Sequence, residues 1–186
     1  MKPAATLLLA VLVLAACTQD PNVKKQRYLE KGIAYSNEGK HNEAIIQLKN
    51  AVQIDPKFAP ALHALGRAYR AKTWYLDAIR ELSRAVEIQP DNLEARQELG
   101  QAFLVIEAWD EVLKQADAIE QKDPGHMAAL YLRGAALHGT GQSKEAHEVL
   151  TRVLALGQPT PELYKVNGDV LARLDRLEEA EKAYRT

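Results

Sequence analysis

His63, Arg67 and Arg70 stand four and three residues apart, a spacing that places all three on one face of a helix. Two guanidiniums and an imidazole in one stripe could hold a carboxylate or the carbonyls of an extended peptide. Metal chemistry has less to work with. The five histidines are His41, His63, His126, His138 and His147, none in a His-Glu-x-x-His arrangement, and Cys17 is the one cysteine. His41 and His126 fall at turn positions, and His147 follows Ala146 on an expected solvent-facing side. No metal site is expected. The chain has no Gly-x-Ser-x-Gly elbow and no phosphate-cradling glycine loop. Glu178, Glu179 and Glu181 read as the solvated side of a helix. No catalytic residue and no cofactor is expected, so the chain reads as a binder and not an enzyme. Lys and Arg number 24 against 25 Asp and Glu, which leaves no basic excess to argue for nucleic acid.

The elements that must position these groups are written in a repeat. Gly32, Gly66, Gly100, Gly134 and Gly168 follow one another at 34 residues. Three residues after each comes Tyr35, Tyr69, Phe103, Leu137 or Leu171, and twelve after comes Ala44, Ala78, Val112, Ala146 or Ala180. Four later again come Leu48, Leu82, Ala116, Leu150 and Tyr184, and Pro56, Pro90 and Pro124 close three units. A glycine inside a helix costs about 1 kcal/mol relative to alanine, so five in one phase need a packing reason. The expectation is that glycine and the following alanine let two helix backbones approach. Gly39 and Gly141 read as turns, and Thr160-Pro161-Glu162 reads as an N-cap, first-turn proline and first-turn acid. No segment alternates long enough for a strand.

This pattern resembles the tetratricopeptide repeat from Lys25 onward, in units 25–58, 59–92, 93–126, 127–160 and an incomplete 161–186. The second unit matches best, with Leu62, Leu65, Gly66, Tyr69, Ala78, Leu82, Ala85 and Pro90. The resemblance implies an all-α fold, a right-handed α-solenoid of antiparallel helix pairs with four and a half to five repeats. It also implies a ligand in the concave groove, held from the first helix of each pair. The family's ligand-facing positions place His63, Arg67, Arg70, Gln97, Gln101, Tyr131 and His138 on one surface suited to a protein or peptide. The plainer alternative is that Arg67 and Arg70 are solvated or pair with Glu94 across the groove. The chaperone-type carboxylate clamp is absent, because its places hold Leu29, Ile33, Glu94 and Glu98. Trp109 reads as core. Trp74, in a turn, reads as folding over the adjacent unit or as an exposed contact.

Residues 1–16 read as an export signal. Lys2 precedes an apolar run, Ala4 to Ala16, too short to span a bilayer. Leu14-Ala15-Ala16-Cys17 resembles the lipobox of bacterial lipoproteins, which implies that Cys17 becomes the lipid-modified first residue. Threonine at position 18 leans towards the outer membrane, facing the periplasm. Residues 17–24 are then the lipidated cysteine and a short polar tether.

Unit five stops inside its second helix, with Leu177, Ala180 and Tyr184 expected to lack a next neighbour, as in a fragment of a longer array. A lipobox followed by such an array is similar to the lipoproteins associated with exosortase and PEP-CTERM sorting. The run Ala44-Ile45-Ile46-Gln47-Leu48-Lys49-Asn50-Ala51 is similar to their first unit. The expected function is a lipid-anchored periplasmic scaffold in envelope assembly, exopolysaccharide export or protein sorting. The alternatives are a pilotin-like factor for a type IV pilus or secretin, and a non-catalytic region of a longer enzyme.

Overall fold

The computed structural model describes residues 20–157 and 160–186. Cys17 and the apolar run before it lie outside them. Ten α-helices and no strand occur among the described residues: α1 Pro21–Asn37, α2 His41–Ile54, α3 Ala59–Ala71, α4 Tyr75–Ile88, α5 Leu93–Val105, α6 Trp109–Glu120, α7 Met127–Gly139, α8 Ser143–Ala155, α9 Pro161–Arg173 and α10 Leu177–Tyr184. They form an all-α solenoid of five helix pairs. Each helix packs on its chain neighbours, and the first helices of adjacent units (α1, α3, α5, α7, α9) also touch one another. Among the described residues the backbones of the second helices stay farther apart. The first helices therefore crowd onto the inner side, and the array curves around them.

The helix ends follow from local chemistry. Asn92 accepts from the Ala95 amide at 3.0 Å, and Thr160 accepts from the Leu163 amide at 3.3 Å, so α5 and α9 start at side-chain caps. Asp20 does the same for α1 through the Asn22 amide at 2.8 Å, with Pro21 in the first turn. α1 thus begins at Pro21, and the last four residues of the expected tether are helical. Between the two helices of each unit, one residue takes a left-handed conformation: Gly39, Thr73, Glu107, Gly141 and Asp175, with φ from 56° to 84°. The turn needs this conformation in every unit, although only two units spend a glycine on it.

The glycine ladder has a more specific cause than close backbones. A Cβ on Gly32 would lie 2.5 Å from Leu48 Cγ, on Gly66 2.5 Å from Leu82 Cγ, on Gly134 2.5 Å from Leu150 Cδ2, and on Gly168 2.5 Å from Tyr184 Cε1. The glycine makes room for the side chain sixteen residues later, four beyond the alanine. Unit three has only Ala116 at that place, and there Leu132 from α7 fills the space, 2.6 Å from the Gly100 Cβ position. Leu48, Leu82, Leu132 and Leu150 are fully buried, each burial contributing about 1.5–3 kcal/mol.

The structure places four residues for which the sequence raised particular expectations. Ala180 is buried, against Leu171 and Ala183, because its own helix pair covers it; Leu177 and Tyr184 remain exposed. His147 is half-buried, its Nε2 lying 2.6 Å from the Arg176 guanidinium. Trp109 is half-buried and lies where a Cβ on Gly139 would stand, 2.6 Å away, so it packs between units. Trp74 is 47% exposed, with its ring 5.9 Å from that of Tyr69 in its own unit.

Candidate binding groove

Two hollows open on the inner face among the described residues. The larger, about 850 Å³, runs over α5, α7 and α9 with Arg70 of α3 at one margin. Gln97 and Gln101 are one turn apart on α5, and Tyr131 faces them from α7. Leu104, Val105 and Met127 supply apolar floor, and Glu162 closes the far side. Four residues singled out by sequence, Arg70, Gln97, Gln101 and Tyr131, line this one hollow. Burial pushes the Tyr131 phenol above its ordinary pKa, and the Glu162 charge adds in the same direction. It is therefore a neutral hydrogen-bonding ring at neutral pH. Two amides and a phenol beside apolar floor can pair with peptide backbone and seat a side chain between them.

His63 and Arg67 line a second hollow of about 400 Å³ over α1 and α3, together with Leu29, Ile33 and Glu94. Here the structure joins what the sequence left as alternatives. Arg67 reaches Glu94 at 3.5 Å and Glu98 at 3.3 Å; Arg70 reaches Glu98 at 3.8 Å, and His63 Nε2 lies 3.3 Å from Glu98. Glu98 is 12% exposed and sits at the centre of these cations. The guanidiniums are thus committed to carboxylates of α5. Arg67 is 58% exposed, so its pairs contribute at most about 1 kcal/mol each.

The same meeting gathers His63, Glu94 and Glu98, whose ligand atoms lie within 4.8 Å of one another. A search for ligand spacing along one helix could not find this trio, because it spans α3 and α5. The two guanidiniums already neutralise its carboxylates, and a divalent ion would have to displace them.

His138 lines neither hollow. It stands near the end of α7, where its carbonyl accepts from the Arg173 guanidinium at 2.7 Å. Burial holds its imidazole below the ordinary pKa; the Arg173 and Lys165 charges push the same way, and Asp169 opposes them. Glu162 stands at the second position of its unit, one of the family's ligand-facing places, and it does line the hollow. Sequence reasoning missed Met127, the first residue of its unit, as lining.

Two tetratricopeptide repeat models match this chain, one over residues 32–73 and one over residues 59–92. No curated protein matches it in sequence. Solved structures resemble it in shape. MamA residues 41 to the end from Desulfovibrio magneticus RS-1 superimposes with a TM-score of 0.76 at 20% identity, covering 87% of this chain and 92% of that one. A MamA RS-1 double mutant gives 0.76 at 20% identity, covering 87% and 91%. A further MamA crystal structure gives 0.75 at 21% identity, covering 87% and 88%. The periodic glycines, the stacked helix pairs and these matches agree: the chain carries tetratricopeptide repeats and has the tetratricopeptide fold.

Proposed function

We propose that this protein is a lipid-anchored scaffold of the bacterial cell envelope, held at a periplasm-facing membrane through Cys17. It binds a protein partner by an extended segment laid over α5, α7 and α9. The observation that carries the binding reading is the 850 Å³ hollow, where Gln97, Gln101 and Tyr131 converge beside Leu104, Val105 and Met127. A peptide fits it better than a charged small molecule, because the nearby arginines are tied to Glu94 and Glu98. The anchor reading is supported by Leu14-Ala15-Ala16-Cys17 behind the apolar run, and Thr18 favours the outer membrane. The similarity to exosortase-associated lipoproteins favours a role in protein sorting or exopolysaccharide export.

The test is recovery of cross-linked partners from envelope extracts with wild type and with Gln97→Ala, Gln101→Ala, Tyr131→Ala. The expected result is loss of one partner, with at least about tenfold weaker binding when the aromatic anchor goes. Unchanged recovery by a folded variant would remove the groove as the binding site. Incorporation of radiolabelled palmitate into wild type, and none into Cys17→Ser, is expected for the anchor.

A further inference from the structure

The outer face of α1 is built differently from the equivalent face of every later first helix. At the third position of units two to five stand Ala61, Ala95, Ala129 and Leu163, all buried against the preceding unit. Unit one has Arg27 there, exposed. At the seventh position stand Leu65 and Leu99, both buried, and then Arg133 and Asn167. Unit one has Lys31, exposed. Lys24, one turn before Arg27, completes a stripe at intervals of three and four residues, rising about 10 Å along the helix.

Arg133 shows what a cation at this interface needs. It reaches Asp117 at 2.7 Å and Glu120 at 2.6 Å on the preceding helix α6. Lys24, Arg27 and Lys31 have no such partner: none is in an ion pair among the described residues, and no Asp or Glu precedes Asp20. Lys25, turned the other way, is occupied by Asp55 at 2.6 Å. Glu30, the one acid on this part of α1, takes a hydrogen bond from Gln26. A polar end face would serve solubility with mixed charge. This face carries three cations against Asp20, one turn before Lys24, and Glu30, one turn after Arg27, so it is basic on balance, beside the exposed Val23.

The geometry points to an anionic lipid surface as the occupant of this face. The inference rests on the lipid-anchor reading for its location. Pro21 follows Cys17 by four residues, a reach of at most about 14 Å. That is under two screening lengths, each about 8 Å at physiological salt. An acylated Cys17 would hold the stripe where a negative leaflet acts on it. Each Lys or Arg near such a surface is worth about 1 kcal/mol, or roughly fivefold in binding. Three together, partly screened, give about tenfold to hundredfold. The stripe then orients the array, with its first unit on the membrane and its groove running away from it.

The test uses the full chain with Cys17→Ser, so that acylation contributes nothing. Its sedimentation is compared on phosphatidylcholine vesicles with and without phosphatidylglycerol. The expected gain from phosphatidylglycerol is about tenfold or more, falling steeply with salt. Lys24→Glu, Arg27→Glu, Lys31→Glu abolishes it. Lys49→Glu, Lys144→Glu, Arg152→Glu, exposed cations elsewhere with the same charge change, retains it. No gain for wild type, or equal loss in both variants, overturns the assignment. So does self-association without vesicles that the stripe variant alone removes, which would make the face a contact between copies. Palmitate labelling decides the anchor separately: labelling without the phosphatidylglycerol gain removes the stripe and keeps the anchor, and the gain without labelling does the reverse.

Discussion

Replacing Gly66 by alanine tests the packing that spaces every helix pair. The added Cβ would stand 2.5 Å from Leu82 Cγ and 2.9 Å from its Cδ2, with the Ala78 carbonyl oxygen 3.3 Å away. Leu82 is fully buried and cannot turn outward, so either it leaves its rotamer or α3 and α4 move apart. Overpacking of this kind costs about 1–3 kcal/mol, and the helix propensity of alanine returns up to about 1 kcal/mol. The net expectation is a loss of about 1–2 kcal/mol, or roughly 2–8 °C in Tm for a domain of this size. Leu82→Ala alone should cost about 2–5 kcal/mol through its cavity. In the double variant the clash is gone while the propensity gain stays, so the pair should cost less than the sum of the singles by about 1–3 kcal/mol. Urea unfolding followed by far-ultraviolet circular dichroism reads all three. Gly39→Ala is the contrast, because a Cβ there meets nothing within 4 Å and only its left-handed backbone resists substitution. If Gly66→Ala proves as stable as wild type, or if the double variant is additive, the steric account of the ladder is wrong.

Thr73→Gly should stabilise the protein. Thr73 is exposed and β-branched at φ 59°, a conformation costing about 1–2 kcal/mol, against a glycine entropy cost of about 0.5–1 kcal/mol. The expected gain is about 0.5–1 kcal/mol in the same unfolding assay. Leu132→Ala should cost about 2–5 kcal/mol, because it empties the space at Gly100, where unit three brings the Gln115 Cβ no nearer than 3.4 Å. His138 should make stability fall with acid. Its folded pKa is depressed by burial, then by Arg173 and Lys165, with Asp169 opposing, so between that value and about 6.5 the unfolded chain binds the extra proton. Stability is complete above pH 6.5 and is lost as pH falls through the folded pKa. Tm measured from pH 8 to pH 5 should drop less in His138→Gln than in wild type.

Much of the architecture was legible because it is periodic. The glycines every 34 residues, with Leu48, Leu82 and Leu150 in phase, fix which helix face is core, and no distant contact has to be known to read it. The groove was legible in part. Arg70, Gln97, Gln101 and Tyr131 meet in one hollow because the fifth, ninth and twelfth positions of a unit share one face of its first helix and the units repeat. His138 holds an equivalent place but lies outside both hollows. Its backbone is tied to Arg173 of the next unit, a contact 35 residues away.

The chain by itself determined the helix pairs, their phase, their turns and the apolar stripe each must bury, since all of these are relations within one repeat. The relations between repeats were left to tertiary structure. It set Arg67 and Arg70 beside Glu98, at 3.3 and 3.8 Å. It filled the gap beside Gly100 from α7 because Ala116 is too short to do so. It also left Lys24, Arg27 and Lys31 facing outward where later units turn that same face inward. Charge pairing and void filling depend on distances of a few ångströms across helix seams, and a linear period of 34 residues carries the register of those seams but not their contents.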